Sequence, residues 1–484
     1  MQYVLGTIAI LTTLITSGVV LHRVANRQTA MISFRNLFLF GFFFFYGVAT
    51  AFVCFADSTA WIYTPVGSGY LPLAVLTPLF VVAFVLAARW GYGANRLTRF
   101  IPSVRIHPCT ASIVAGIIVC EVMAVLGLTP LGDYFTGVIA QSKPGFAACA
   151  AGLATYWLIS QKYNPVAWAV FGATFVLSCL ISVSGGTDRR FILGVFLVVV
   201  WVWYFTSLQY KTPRSNFTKF GIAGLAATAF VVFYSNFRNV SLEHTTLQRR
   251  AEQFTEAAKD PLNIKKDTFA TVFVQDAPIN TLYIIENYPE FQPLQPLHGL
   301  YFFLVNPIPR NIFPDKPLGL GYELQQQFHI GANLGPGIIG HGWSEALWLG
   351  VIYYAVFFGF LCGVMDRKTE SESNNPFFLS VFGSSLGNVL GLCRGETSLF
   401  LVLIVTGWVT TLAALWVMNM MGKFTFAAWP RLRVDSDYYM EQQALAEQQQ
   451  QTEDPYGAYD DRYDPAVAAS YNEATDSEQQ RHSA

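Results

Sequence analysis

Charge is what this chain has least of. Only 13% of its 484 residues are Asp, Glu, Lys or Arg, while 53% are hydrophobic and 15% aromatic. Soluble domains carry about 25% charged residues, so a soluble enzyme is excluded and a polytopic membrane protein expected. The net charge of −1 gives no global field that would point to nucleic acid. The seven cysteines form no CxxC or Cys/His spacing, which supports neither a zinc site nor a disulfide framework. There is no repeat of 20–50 residues and no strand-like alternation that would suggest a β-barrel. The opening MQYVLGTIAI has no basic n-region or small-residue cleavage site, so it reads as a first span rather than a removable signal.

What the chain does have is long apolar runs. A helix needs about 20 apolar residues to cross the hydrocarbon core. Eleven segments qualify, near 2–21, 35–56, 70–90, 110–128, 145–160, 165–183, 190–209, 217–235, 345–365, 376–393 and 397–420. The fifth is short and rich in Ala and Gly. Alternate loops collect sixteen Lys and Arg, from Arg23, Arg27 and Arg35 to Lys423, Arg431 and Arg433. The short loops on the other side hold four: Lys143, Arg189, Arg190 and Arg394. The positive-inside rule then puts the N-terminus outside and the C-terminus in the cytoplasm.

The expected organisation is helices 1–8 over residues 1–235, a large extracytoplasmic loop over 236–344, helices 9–11 over 345–420 and a cytoplasmic tail over 421–484. The loop carries helical spacing (Leu242, Leu247, Ala251, Phe254, Ala258), a second helical stretch over Phe269–Glu286, and an apolar run broken by Pro307, Pro309, Pro314 and Pro317. From Val434 onward there are twelve acids, two basic residues and a run of Gln448–Gln451, a composition that cannot bury a core.

Ionisable residues at membrane depth are functional candidates. The outer ends of the spans gather Asp188, Arg189, Arg190, Arg310, Lys316, His341, Glu345, Arg394 and Glu396. Arginine offers a planar fork of donors matched to phosphate oxygens. Arg189, Arg190, Arg310 and Arg394 are therefore candidates for binding one anion, with Lys316, Asp188 and Glu396 as accessory residues. The structural alternative is ion pairing with Asp188 and Glu396, each close in sequence to an arginine. His341 and Glu345 stand four apart, on one helical face, as candidates for a general base and its partner. No third His or paired Asp accompanies them to make a metal site. Glu121, in mid-span, reads either as a proton relay or as a neutral carboxyl hydrogen-bonded inside the bundle.

Four runs carry a resemblance: SGGTDRRFILG (Ser184–Gly194), NPIPRNIFPDKP (Asn306–Pro317), PGIIGHGWSEALWLGV (Pro336–Val351) and GLCRGETSLF (Gly391–Phe400). With the span count and the large loop, the chain resembles the bacterial O-antigen and oligosaccharide repeat-unit polymerases (Wzy type). The family commonly has Glu after the Gly where this chain has His341, so either His341 or Glu345 would take that role. The resemblance implies an all-α, GT-C-like glycosyltransferase bundle in the bacterial inner membrane. It also implies joining of polyprenyl-diphosphate-linked oligosaccharides outside the cytoplasm, and a chain-length-regulating copolymerase as partner. The arginines and the lack of clustered carboxylates beside them lead to the expectation that this chemistry needs no metal and no cofactor. An O-antigen-type ligase and a lipid-linked glycan or anion transporter are the alternatives.

Overall fold

The computed structural model describes residues 1–55, 63–103, 105–129, 138–184, 189–212, 215–225, 276–308, 312–329 and 334–435, then 437–439, 441–442 and 445. Among them there is no strand, only an isolated bridge between Cys109 and Arg431. In chain order the helices are α1 (Gln2–Ala25), α2 (Phe34–Phe55), α3 (Tyr70–Gly93), α4 (Thr110–Leu126), α5 (Val138–Ser160), α6 (Pro165–Ser184) and α7 (Arg189–Thr206). There follow α8 (Ala277–Asn287), α9 (His298–Val305), α10 (Leu320–Phe328), α11 (Ile338–Ser371), α12 (Pro376–Gly391) and α13 (Thr397–Ala427). The contacts form two units, Met1–Val434 and Asp435–Ala484.

Six of these helices, α1, α2, α3, α6, α11 and α13, are long and apolar enough to cross a membrane. Shorter apolar helices lie over Thr110–Leu126, Arg190–Thr206 and Pro376–Gly391. The protein is thus an all-α, multi-pass membrane protein among its described residues. Of the segment expected at 217–235, residues 226–235 lie outside the described residues, as do 236–275 of the long loop and 446–484 of the tail.

The Ala- and Gly-rich fifth segment becomes α5, whose side chains from Phe146 to Trp157 are all buried. Its small residues let α4, α6, α7, α12 and α13 pack around it, as small side chains do between membrane helices. The most extensive helix pairing joins α3 to α11. A Cβ on Gly359 would strike the Phe84 carbonyl and one on Gly363 the Ala88 carbonyl, so the two backbones run in contact.

α11 differs most from its expected form as a plain span over 345–365. Ala346 (φ −153°, ψ 33°) and Leu347 (φ 53°, ψ −132°) break it into a half-helix, 338–345, and a long helix from 348. The chain folds back so tightly that a Cβ on Gly350 would overlap the Gly342 carbonyl. Glycine at both positions permits this. Half-helix 338–345 is held at its start by bonds from outside it. Gly337 N–H donates to the Arg394 carbonyl (3.1 Å), Ile338 N–H to that of Cys393 (3.1 Å), and Ile339 N–H to the Tyr46 hydroxyl (3.2 Å). These are the orphan donors that any helix start must satisfy.

Tyr46 lies in a π-helical turn of α2, Phe43–Val48, and its hydroxyl is 3.0 Å from that of Thr281 in α8. Such turns are frequent at functional sites. Thr281 donates to the Pro336 carbonyl (3.0 Å) and Asn280 to that of Gly335 (2.9 Å). Three separate elements, α2, α8 and the turn before α13, therefore fix one short piece of backbone.

Candidate functional site

The half-helix carries the site. His341 is 0% exposed, yet it is surrounded by ionisable groups. Its Nε2 lies 2.6 Å from Glu396 Oε1, and its Nδ1 lies 2.8 Å from the Tyr354 hydroxyl and 3.4 Å from Glu345 Oε1. Tyr354 also donates to Glu345 Oε1 at 2.7 Å. Ser398 Oγ is 3.4 Å from His341 Nε2. Buried charge is tolerated only where it is paired and hydrogen-bonded, and each member here is.

Hydrogen-bond inventory assigns the protons. Tyr354 has a single proton, which its bond to Glu345 uses, so His341 Nδ1 must donate to the Tyr354 oxygen. Nε2 then donates to Glu396. With both carboxylates ionised, every contact is satisfied when the imidazole carries two protons. Among the described residues the contacts of Glu345 all fall on Oε1, which also accepts from Gly299 N–H at 2.7 Å. Glu396 uses both oxygens, because Oε2 accepts from Gly321 N–H at 2.7 Å. Gly321 is in the first turn of α10, where the helix dipole favours a carboxylate. Burial opposes charge on Glu396, but the adjacent His341 and that N–H outweigh it and hold the carboxyl below its ordinary range.

Two of these residues left no trace in the sequence. On a straight helix Tyr354 would stand about 20 Å beyond His341; the break at Ala346–Leu347 brings them together. Ser398 joins the site because the turn 391–396 pins the half-helix beside the first turn of α13.

The remaining candidates distribute as follows. Arg190 stacks its guanidinium on Phe400, 3.7 Å from the ring centroid, with Phe191 at 4.8 Å. It thereby touches the same first turn of α13 that supplies Ser398. Arg189 opens α7, but its side chain lies outside the described residues, as do Asp188 and Arg310. Arg394 pairs through Nε with Asp276 at 3.1 Å. This corrects the ion-pair alternative, in which its sequence neighbour Glu396 was the partner; Glu396 instead faces His341. Lys316 donates to the carbonyls of Asn306 (2.9 Å) and Ile308 (3.0 Å), tying down the proline-broken segment after α9.

Glu121 in α4 stands apart from this cluster. The Ser178 hydroxyl is 2.8 Å from the Ala147 carbonyl and 3.0 Å from Glu121 Oε1. Ser178 is the donor within reach of both acceptors. That geometry fits the reading of a hydrogen-bonded carboxyl inside the bundle. Among the described residues, no three His, Cys, Asp or Glu side chains form a group suited to a metal ion.

No family model, no curated protein and no solved structure matches this chain.

Proposed function

We propose that the protein is an inner-membrane glycan polymerase that joins polyprenyl-diphosphate-linked oligosaccharide repeat units on the extracytoplasmic face. In this reading the bundle has eleven spans of GT-C-like type, with the N-terminus outside and the tail in the cytoplasm. The observation that carries it is the buried His341–Glu345–Glu396 cluster beside the first turn of α13, on whose Phe400 Arg190 of α7 stacks. Acid–base groups and a phosphate-matching guanidinium are thus brought to one helix start, next to the resemblance noted in the four sequence runs.

The chemistry follows from the unequal use of carboxylate oxygens. Glu345 Oε2 is the oxygen left for a substrate, so Glu345 takes the proton from the acceptor hydroxyl. The freed oxygen bonds to the anomeric carbon of the growing chain as the bond from that carbon to the diphosphate breaks, and its electron pair leaves on the diphosphate. Arg190, and Arg189 and Arg310 with it, stabilise the leaving charge, an electrostatic contribution concentrated in the transition state. His341, protonated and anchored by Glu396, orients Glu345 through Tyr354.

One observation favours a second reading. A broken helix whose half-helix carries a sealed ionisable cluster also suits a proton-coupled transporter. Purified protein incubated with lipid-linked repeat units separates the possibilities on a product gel. A ladder of lengthened glycans supports the polymerase, and a single unit moved to another lipid indicates a ligase. Unchanged substrate, together with pH-driven movement of it across vesicles, indicates the transporter.

A further inference from the structure

A second polar site lies at the far end of α11. From Trp348, where the long part of α11 begins, to Asp366 is roughly 27 Å of helix, close to the thickness of a hydrocarbon core of about 30 Å. There the last turn of α3, the first turn of α2 and the end of α11 enclose a pocket of about 180 Å³. Arg35, Arg89, Thr29, Asp366 and Glu370 are among its polar lining, and Trp201 belongs to its apolar wall. Exposed Trp90 and Phe100 flank this end of the bundle, as aromatic residues do at headgroup depth.

The two acids of this pocket already have partners. Asp366 accepts from the N–H groups of Phe34 (2.6 Å) and Arg35 (3.4 Å), so the start of α2 already compensates it. Glu370 accepts from the Tyr92 hydroxyl and pairs with Arg367 at 3.7 Å. Arg35 spends its Nε and Nη2 on the neutral Asn36 side chain, both at 3.3 Å. Arg89 has no partner among the described residues, and the buried Thr29 hydroxyl has none either. Arg35 and Arg89 therefore face two acids that are already compensated, and the donors of Arg89 and Thr29 are to spare.

We propose that this pocket binds the phosphate of a membrane phospholipid, with Arg89 and Arg35 as the cationic contacts and Thr29 as a neutral donor. A phosphodiester carries one negative charge and only acceptor oxygens, which complements the unspent Arg89 guanidinium and the unused Thr29 donor. The depth of the pocket, at three helix ends in a membrane protein, puts it where lipid head groups lie. Free phosphate shares the recognition chemistry, and the experiment separates the two sources.

The test is thermal unfolding of the purified, delipidated full-length chain titrated with dihexanoyl phosphatidylglycerol, dihexanoylglycerol or inorganic phosphate. Only the phospholipid should give a saturable rise in unfolding temperature. Arg89→Ala should weaken its apparent affinity about tenfold or more, the expected loss of a charge-assisted phosphate contact. The unliganded variant should unfold at the parental temperature, because Arg89 makes no bond to any other described residue. Arg96→Ala, an exposed arginine at the same end but outside the pocket, should leave the affinity unchanged. An equal rise with dihexanoylglycerol would mean that acyl chains alone act, and an equal rise with inorganic phosphate would mean that the lipid is not the ligand. Equal losses in Arg89→Ala and Arg96→Ala would reduce the site to general surface charge. Each of these three outcomes overturns the proposal.

Discussion

Glu345 and His341 sit four residues apart but do different work in the proposed reaction, and single substitutions should separate them. Glu345→Gln keeps the size and the bond from Gly299 but cannot take a proton. It is expected to reduce polymerisation by about 10²–10⁴-fold, the usual range for a general base, while lipid-linked donor still binds. His341→Gln should also impair turnover, and in addition lower the unfolding temperature, since two buried carboxylates would lose the cation between them. Product-ladder intensity at matched membrane expression measures the first effect. Normal ladders from Glu345→Gln would remove this residue from the role of base.

The arginines divide at the same scale. Arg190 stacks on Phe400, and Lys keeps its charge but loses the planar fork. Arg190→Lys should therefore cripple polymerisation nearly as much as Arg190→Ala. Arg394 and Asp276 form a partly exposed pair of the kind worth about 0–1 kcal/mol. Arg394→Lys should retain most activity, and Asp276→Asn should resemble it. Comparable loss in Arg190→Lys and Arg394→Lys would place both guanidinium groups on the substrate, contrary to this division.

Among the elements, the clearest pH-sensitive joint is the clamp between α8 and the segment before α3. Glu286 accepts from the Tyr63 hydroxyl (2.5 Å) and from the N–H groups of Val66 (2.9 Å), Gly67 (2.8 Å) and Gly69 (3.0 Å). Burial opposes the charge, but Tyr63 and the three N–H groups outweigh it and hold Glu286 below the ordinary carboxylate range. A depressed folded pKa contributes stability that is present above the unfolded value, about 4.3 for Glu, and is lost as pH falls through the folded value. Hydrogen-exchange protection at Val66–Tyr70, taken relative to the intrinsic rate at each pH, should therefore fall on acidification below about pH 4. Glu286→Gln should lower that protection already at neutral pH and flatten the dependence. Protection in the parent that is indifferent to acid would show that the clamp carries no weight.

α11 shows how much a single element can hide. His341 and Glu345 were legible as a pair from their spacing, and Glu396 from its position at a span end. Tyr354 was not, because helical spacing places it far from His341 unless the chain folds back at Ala346–Leu347. Arg394 drew attention as a basic residue outside the membrane, yet its partner Asp276 is 118 positions away, a separation no local pattern encodes. Nor did spacing mark the π-helical turn around Tyr46, whose hydroxyl helps anchor the half-helix.

For the molecule as a whole, orientation is the property from which the most follows. Cysteines introduced singly at Glu290 and at Arg99, both exposed positions, should differ in reactivity towards an impermeant thiol reagent applied from outside. Glu290→Cys should label and Arg99→Cys should not. Six of the seven native cysteines are buried, which keeps the background low. Reversed labelling would invert the bundle and move the His341 cluster to the cytoplasmic end, where an extracytoplasmic polymerase has no substrate.

Composition alone determined that the chain lives in a membrane, because apolar content and sparse charge are sums that no folding can alter. The lengths of the apolar runs located most helices, since hydrocarbon thickness sets a minimum that the sequence either meets or does not. The choice of partners was left to tertiary structure. Whether Glu396 faces Arg394 or His341, and whether Tyr354 reaches the cluster at all, depends on a backbone break made possible by Gly342 and Gly350 and on loops that join distant helices. Those are relations between segments, and buried charges take whichever partner the packed bundle brings within hydrogen-bonding distance.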